Sequence, residues 1–117
     1  MDTLSPDERD ALERFSRALK HLRTIMGRNV PSQIIQAYLV VALDEGRPVN
    51  EYATILGASQ TTASRHLMDL SDRRRSRQEG FKLLYRRDNP LDEREKLVTL
   101  SPHGKAMRQL VLETLRE

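Results

Sequence analysis

Apolar residues recur along this chain in blocks of changing period, and each change marks an element. Leu12, Phe15, Leu19, Leu22 and Met26 follow one another at steps of three and four, the spacing of one helical face. Ser5 ahead of Pro6, with Asp7 and Glu8 behind it, supplies an N-cap, a first helical residue and the return arm of a capping box. Gly27 supplies the stop, so one helix carries the whole seam. That seam has no apolar partner nearby in sequence and needs either the domain's own core or a second chain. The next block, Pro31 to Gly46, is apolar nearly all round. Its β-branched centre would suit a strand, but its length between a Pro and a Gly favours a buried helix. Gly46, Arg47 and Pro48 then read as a turn.

From Val49 to Asp72 the pattern is that of two short helices around a glycine. Asn50 is placed to cap the first, whose Ala53 and Leu56 lie one turn apart, and Gly57 supplies the left-handed residue that ends it. Ser59 is placed to cap the second, where Ala63, Leu67 and Leu70 form a single stripe. Its opposite face carries Gln60, Thr61, Ser64, Arg65, Met68 and Asp69. Polar outer faces are common on amphipathic helices. What makes this one a candidate reading element of a helix-turn-helix is that Gln, Thr, Ser and Arg in its N-terminal turns suit base edges and phosphate oxygens.

The period then disappears. Residues 71–80, SDRRRSRQEG, crowd Arg73, Arg74, Arg75 and Arg77 together without apolar spacing. A solvated helix end is the ordinary reading of such a run, but its place directly after a reading helix favours phosphate pairing. FKLLYRRDN alternates imperfectly, with Phe81, Leu83 and Tyr85 expected on one face and Lys82 and Arg86 on the other. Asn89-Pro90 turns the chain, EKLVTLS returns as a second strand, and Asp92-Glu93-Arg94 forms a charged tip. Ser101-Pro102 restarts a helix whose stripe is Met107, Leu110, Val111 and Leu115. The fold expected is mainly α with a small β-hairpin wing: a winged helix-turn-helix over 31–101, between terminal helices at 1–27 and 102–117.

Composition narrows the functions. A chain of 117 residues builds one modest core, so 1–117 is a single domain. The net charge of +3 favours an acidic partner only weakly, because placement matters more than the sum. With no Cys there is neither a disulfide scaffold nor a thiolate metal site; with a polar, acidic start and no long apolar run, no signal peptide or membrane span is expected, and a cytoplasmic protein is. His21, His66 and His103 lie on separate elements without paired spacing, and no glycine-rich loop is built to cradle a phosphate. The acidic pairs Asp44-Glu45 and Asp92-Glu93 read as solvated charge. No catalytic residue, metal or cofactor is expected.

DNPLDEREKLVTLSPHGKAM resembles the wing and following helix of the multiple-antibiotic-resistance regulator (MarR) family, with Asp92-Glu93-Arg94 as its Asp-x-Arg and Leu100-Ser101-Pro102-His103-Gly104 as its closing turn. VNEYATILGASQTTASRHL is similar to that family's helix-turn-helix at Ala53, Leu56, Gly57, Ser59, Ser64 and Arg65. The resemblance implies a dimer of intertwined terminal helices in which each lobe offers DNA a reading helix and a wing, in a regulator more often a repressor than an activator. Ser59, Gln60, Thr61, Thr62, Ser64 and Arg65 would then face the major groove, Arg65 matching guanine with its planar fork. Arg94 would reach the minor groove or its phosphates, while Arg86, Arg87 and the cluster from Arg73, Arg74 and Arg75 to Arg77 neutralise phosphates. Leu12, Phe15, Leu19 and Leu22 would meet Met107, Leu110 and Leu115 across the two-fold axis.

The sequence departs from the family in two places. It inserts residues within SDRRRSRQEGF, and it stops after one helix where the family commonly adds another, which leaves a small-molecule effector open. Two other readings stand beside the regulator. One is a winged helix serving replication or partition of a mobile element; the other is a winged helix serving as a protein-interaction module.

Overall fold

The computed structural model describes residues 2–72 and 79–117. Arg73, Arg74, Arg75 and Arg77 lie outside the described residues. Among the described residues, five helices and a small sheet follow in the order α1 (Pro6–Met26), α2 (Ser32–Leu43), β1 (Arg47–Pro48), α3 (Val49–Leu56), α4 (Gln60–Leu70), β2 (Leu84–Asn89), β3 (Asp92–Leu100) and α5 (Pro102–Arg116). The sheet is antiparallel in the order β1-β3-β2.

Local chemistry sets most of the boundaries. At α1 the Ser5 hydroxyl accepts the Glu8 N–H and the Glu8 carboxylate accepts the Ser5 N–H, a complete capping box. The Ser5 backbone contact draws the Glu8 carboxyl below its usual range. Ser59 caps α4 through the Thr62 N–H, and Ser101 caps α5 through the Gly104 N–H. Gly57 closes α3 with φ 66°, in the left-handed region.

Three expectations are corrected. Asn50 does not cap α3: β1 pairs with β3 through Arg47 and Pro48, the chain stays extended to Pro48, and Val49 already begins the helix. Gly46-Arg47-Pro48 is therefore partly a strand and not only a turn. The first wing strand begins at Leu84 and not at Phe81. Lys82 takes φ 58° and resets the alternation, so the successive residues Leu83 and Leu84 are both buried, while Tyr85 faces outward and is half exposed. The approach to β2 is pinned by backbone bonds from Phe81, Lys82 and Leu83 to the carbonyls of Asp69, Ser71 and Leu70.

The core sits where α2, α4 and the inner face of the sheet converge, around Tyr38, Val41, Tyr52, Leu67, Leu70, Leu84 and Val98. The α4 stripe Ala63, Leu67 and Leu70 is fully buried. The α1 seam is split: Leu22 and Met26 are buried with Ala18, whereas Leu12 and Phe15 remain 58% and 63% exposed. On α5, Met107 and Val111 belong to the core, while Leu110 and Leu115 are exposed. Leu22 and Met107 are thus covered within one chain. The ends of α1 and α5 are tied by Arg14, which donates to the Glu117 carbonyl, and by an Arg17–Glu117 ion pair at 2.8 Å.

Glu45 is not simply solvated charge. Its carboxylate accepts the Leu100 N–H at 2.8 Å and pairs with Arg108 at 3.3 Å, joining the end of α2 to β3 and α5. Among the described residues no helix is long and apolar enough to cross a membrane, and no group of acidic, His or Cys side chains is placed to hold a metal ion.

Candidate nucleic-acid interface

Because α4 buries Ala63, Leu67 and Leu70, helical geometry turns Thr61, Thr62 and Arg65 outward, while Gln60 lies in line with the buried stripe and is exposed as the first residue of the helix. All four are exposed and Ser64 is half-buried. Among the described residues no carboxylate pairs with Arg65 or Arg86, so neither cation must first break an ion pair to meet an external anion. Ser59 is occupied as the α4 cap, and its hydroxyl donates to Thr62 Oγ1 at 3.0 Å. These two residues hold the start of the helix as well as offering polar surface.

The wing stands beside this helix. Leu84 pairs with Leu100, Arg86 with Val98 and Asp88 with Lys96. Side chains alternate along a strand, so Arg86 and Lys96 share the face that carries the buried Leu84, Val98 and Leu100. Arg87 pairs with Leu97 and belongs to the opposite face with Tyr85. A cleft of about 260 Å³ separates the wing from the helix-turn-helix and is bordered by Asn50, Gln60, Ser64, Arg86, Arg94 and Lys96. Glu95 also borders it, its carboxylate accepting from the Asn89 amide at 2.9 Å.

Arg94 projects from the start of β3 with its side chain 95% exposed. Asp92 accepts the Arg94 N–H at 3.1 Å, a local contact that fixes the backbone beneath the guanidinium. The hairpin turn itself is Pro90-Leu91, and Asp92-Glu93-Arg94 already lies in β3.

Of the expected interface, the structure brings Gln60, Ser64, Arg86 and Arg94 around one cleft, with Thr61, Thr62 and Arg65 exposed on the same helix as Gln60 and Ser64. It sets Arg87 on the far face of the hairpin. Asn50 and Lys96, which border the cleft, were not expected there from the sequence. The signal for Lys96 was its even spacing from Val98 and Leu100, which is informative only once the register is known.

No protein-family model matches the chain, and no curated protein matches it. Solved structures do. The chain is similar to the S. aureus MepR–DNA complex (TM-score 0.69, 20% identity, 90% of this chain and 77% of that one). It is also similar to the transcriptional repressor CouR bound to a 23-mer DNA duplex (TM-score 0.62, 23% identity, 92% and 68%) and to MarR (TM-score 0.60, 19% identity, 90% and 74%). The class is therefore plain: this is a winged helix, mostly helical with a small three-stranded antiparallel sheet. More particularly, it has the winged-helix fold of MarR-family transcriptional regulators.

Proposed function

We propose that the protein is a homodimeric, sequence-specific double-stranded DNA-binding regulator of transcription, acting as a repressor, and that it has no enzymatic activity. The observation that carries this reading is the juxtaposition of a polar, exposed reading face on α4 with a basic wing across one cleft. Gln60, Thr61, Ser64 and Arg65 enter the major groove and Arg94 the adjacent minor groove, while Arg86 contacts phosphate. Leu12, Phe15, Leu110 and Leu115, left partly exposed by the chain itself, face a second copy. MepR and CouR, solved with DNA, support the use of this fold on a duplex.

The test is selection of bound duplexes from a random pool, followed by titration of the selected and a scrambled duplex. Arg65→Ala should weaken the selected site by about 1–3 kcal/mol and leave the scrambled one nearly unchanged, as loss of a bidentate base contact does. Arg94→Ala should weaken both. If the pool yields no enriched sequence, or Arg65→Ala leaves the ratio of the two affinities intact, α4 is not the reading element.

A further inference from the structure

We propose that the cleft between α4 and the wing seats a backbone phosphate of the duplex, held by Asn50 and Lys96 together with Arg86, and that Asp88 occupies Lys96 in the free protein where the phosphate occupies it in the complex. This rests on the DNA-binding reading above and adds residues and an exchange which that reading does not contain.

The geometry leads there directly. If α4 lies in the major groove and the wing in the neighbouring minor groove, the sugar–phosphate strand that separates the two grooves passes between them. The feature of this surface shaped to admit that strand, among the described residues, is the 260 Å³ cleft. A water occupies about 30 Å³, so the space admits a phosphodiester with part of its hydration. Most of its borders can donate: the Asn50 amide from the first turn of α3, Gln60 and Ser64 from α4, and the Arg86, Arg94 and Lys96 cations from the hairpin, with Val49 and the Glu95 carboxylate completing the lining.

Lys96 does not stand free. Its ammonium contacts the carboxylate of Asp88, directly across the β2–β3 ladder. Both side chains are well exposed, at 46% and 67%, so solvent screens the pair and it is readily exchanged. A phosphate in the cleft offers Lys96 the same charge and the same acceptor oxygens as Asp88, with release of counterions as the added drive. The carboxylate thus acts as a tethered competitor, and its removal should strengthen binding only while Lys96 is present. Glu95 keeps its charge beside the cleft, with one oxygen accepting from the Asn89 amide, but among the described residues it is Asp88 and not Glu95 that pairs with Lys96.

The experiment is fluorescence-anisotropy titration of labelled selected and scrambled duplexes over a salt series. It compares the wild type, Asn50→Ala, Lys96→Ala, Asp88→Asn and the double variant Asp88→Asn/Lys96→Ala, each checked by circular dichroism. Lys96→Ala should weaken both duplexes by a similar factor, roughly 3- to 10-fold, and flatten the log–log salt slope by about 0.9 for each phosphate left without its cation. Asn50→Ala should weaken both without changing the slope, because the amide is neutral. Asp88→Asn should tighten both, and the gain should vanish in the Lys96→Ala background. Unchanged affinity and slope in Asn50→Ala and Lys96→Ala, with the wild type still binding, would overturn the phosphate seat and leave the DNA-binding reading standing. An equal gain from Asp88→Asn with and without Lys96 would overturn the exchange and show bulk charge at work. A wild type that binds neither duplex would remove both proposals.

Discussion

Tyr38 joins the winged helix to its C-terminal helix, and the cost of removing its hydroxyl can be worked out. The side chain is fully buried, and its hydroxyl donates to the Gly104 carbonyl in the first turn of α5 at 2.7 Å. Tyr38→Phe keeps the ring and deletes that bond. A neutral buried hydrogen bond contributes about 1 kcal/mol net, and Gly104 retains the acceptor role its helix position gives it, so a loss of about 1 kcal/mol is expected near neutral pH. Burial, partly opposed by the nearby Arg108 cation, pushes the phenol up to about 12. The sign follows from linkage. Below pH 10 both folded and unfolded chains keep the proton. Between about 10 and 12 only the unfolded chain releases it, so stability falls as pH rises, by roughly 2–3 kcal/mol at the upper end. The Tyr38→Phe variant has no proton to lose at this position. It should therefore be less stable than the wild type at pH 8, and the two should converge about one pH unit into that window. Tyr52, also raised by burial, titrates in both proteins and cancels in the difference. Urea unfolding at fixed protein concentration, followed by far-UV circular dichroism from about pH 8 to about pH 11, reads the difference directly. Identical midpoints at pH 8, or an offset that stays constant to pH 11, would refute the burial argument.

Gly104 sits in α5, where Ala would ordinarily gain about 1 kcal/mol over Gly, yet a Cβ there would run into the Leu83 carbonyl. Gly104→Ala should therefore destabilise by about 1–3 kcal/mol in the same urea assay, and a gain would show that α5 can shift at no cost. Arg86→Ala should weaken duplex binding and reduce its salt dependence by about 0.9 in log–log slope, whereas Arg87→Ala, on the far face of the hairpin, should change the slope less. Phe15→Asp should leave the thermal stability of the isolated protomer nearly unchanged, because this side chain is mostly exposed, but should convert the protein to a monomer in sedimentation. A monomeric wild type at micromolar concentration would remove the two-fold arrangement altogether.

What the sequence disclosed was what a few adjacent residues decide. Ser5, Ser59 and Ser101 cap the helices they precede because the acceptor and the N–H it satisfies lie within three residues of each other. Gly57 ends α3 for an equally local reason. The misreadings share the opposite property. Asn50 looked like a cap until β3, about fifty residues on, drew Arg47 and Pro48 into a ladder and displaced the helix start. Glu45 looked solvated because its partners, Leu100 and Arg108, are 55 and 63 residues away. The strand phase failed at Lys82, where one left-handed residue moved Leu84 inward and Tyr85 outward. Arg86 and Arg87 were equivalent in composition, and only the register with Val98 and Leu97 separates them. The Arg73 to Arg75 run lies outside the described residues.

Under the proposed dimeric DNA-binding reading, the split fate of the α1 seam would link assembly to recognition. Ala18, Leu22 and Met26 fix the second half of the helix to the same core that Leu67 and Leu70 of α4 enter. The first half continues the apolar face through Leu12 and Phe15 without cover from its own chain. A helix of 21 residues is about 31 Å long, so what binds the exposed half acts at a distance from the core through one stiff rod. If a second copy covers Leu12 and Phe15, it is therefore held in a fixed relation to α4, and by symmetry the two reading helices are fixed relative to each other. Half-site spacing then becomes a property of α1 as much as of α4. A near-palindromic site with half-sites about one helical turn apart is the spacing that a two-fold arrangement of such lobes selects. A monomerising change at Phe15, which lies on α1 and is not among the residues proposed to read bases, should accordingly abolish discrimination between correct and altered half-site spacing while leaving each half-site's own preference intact.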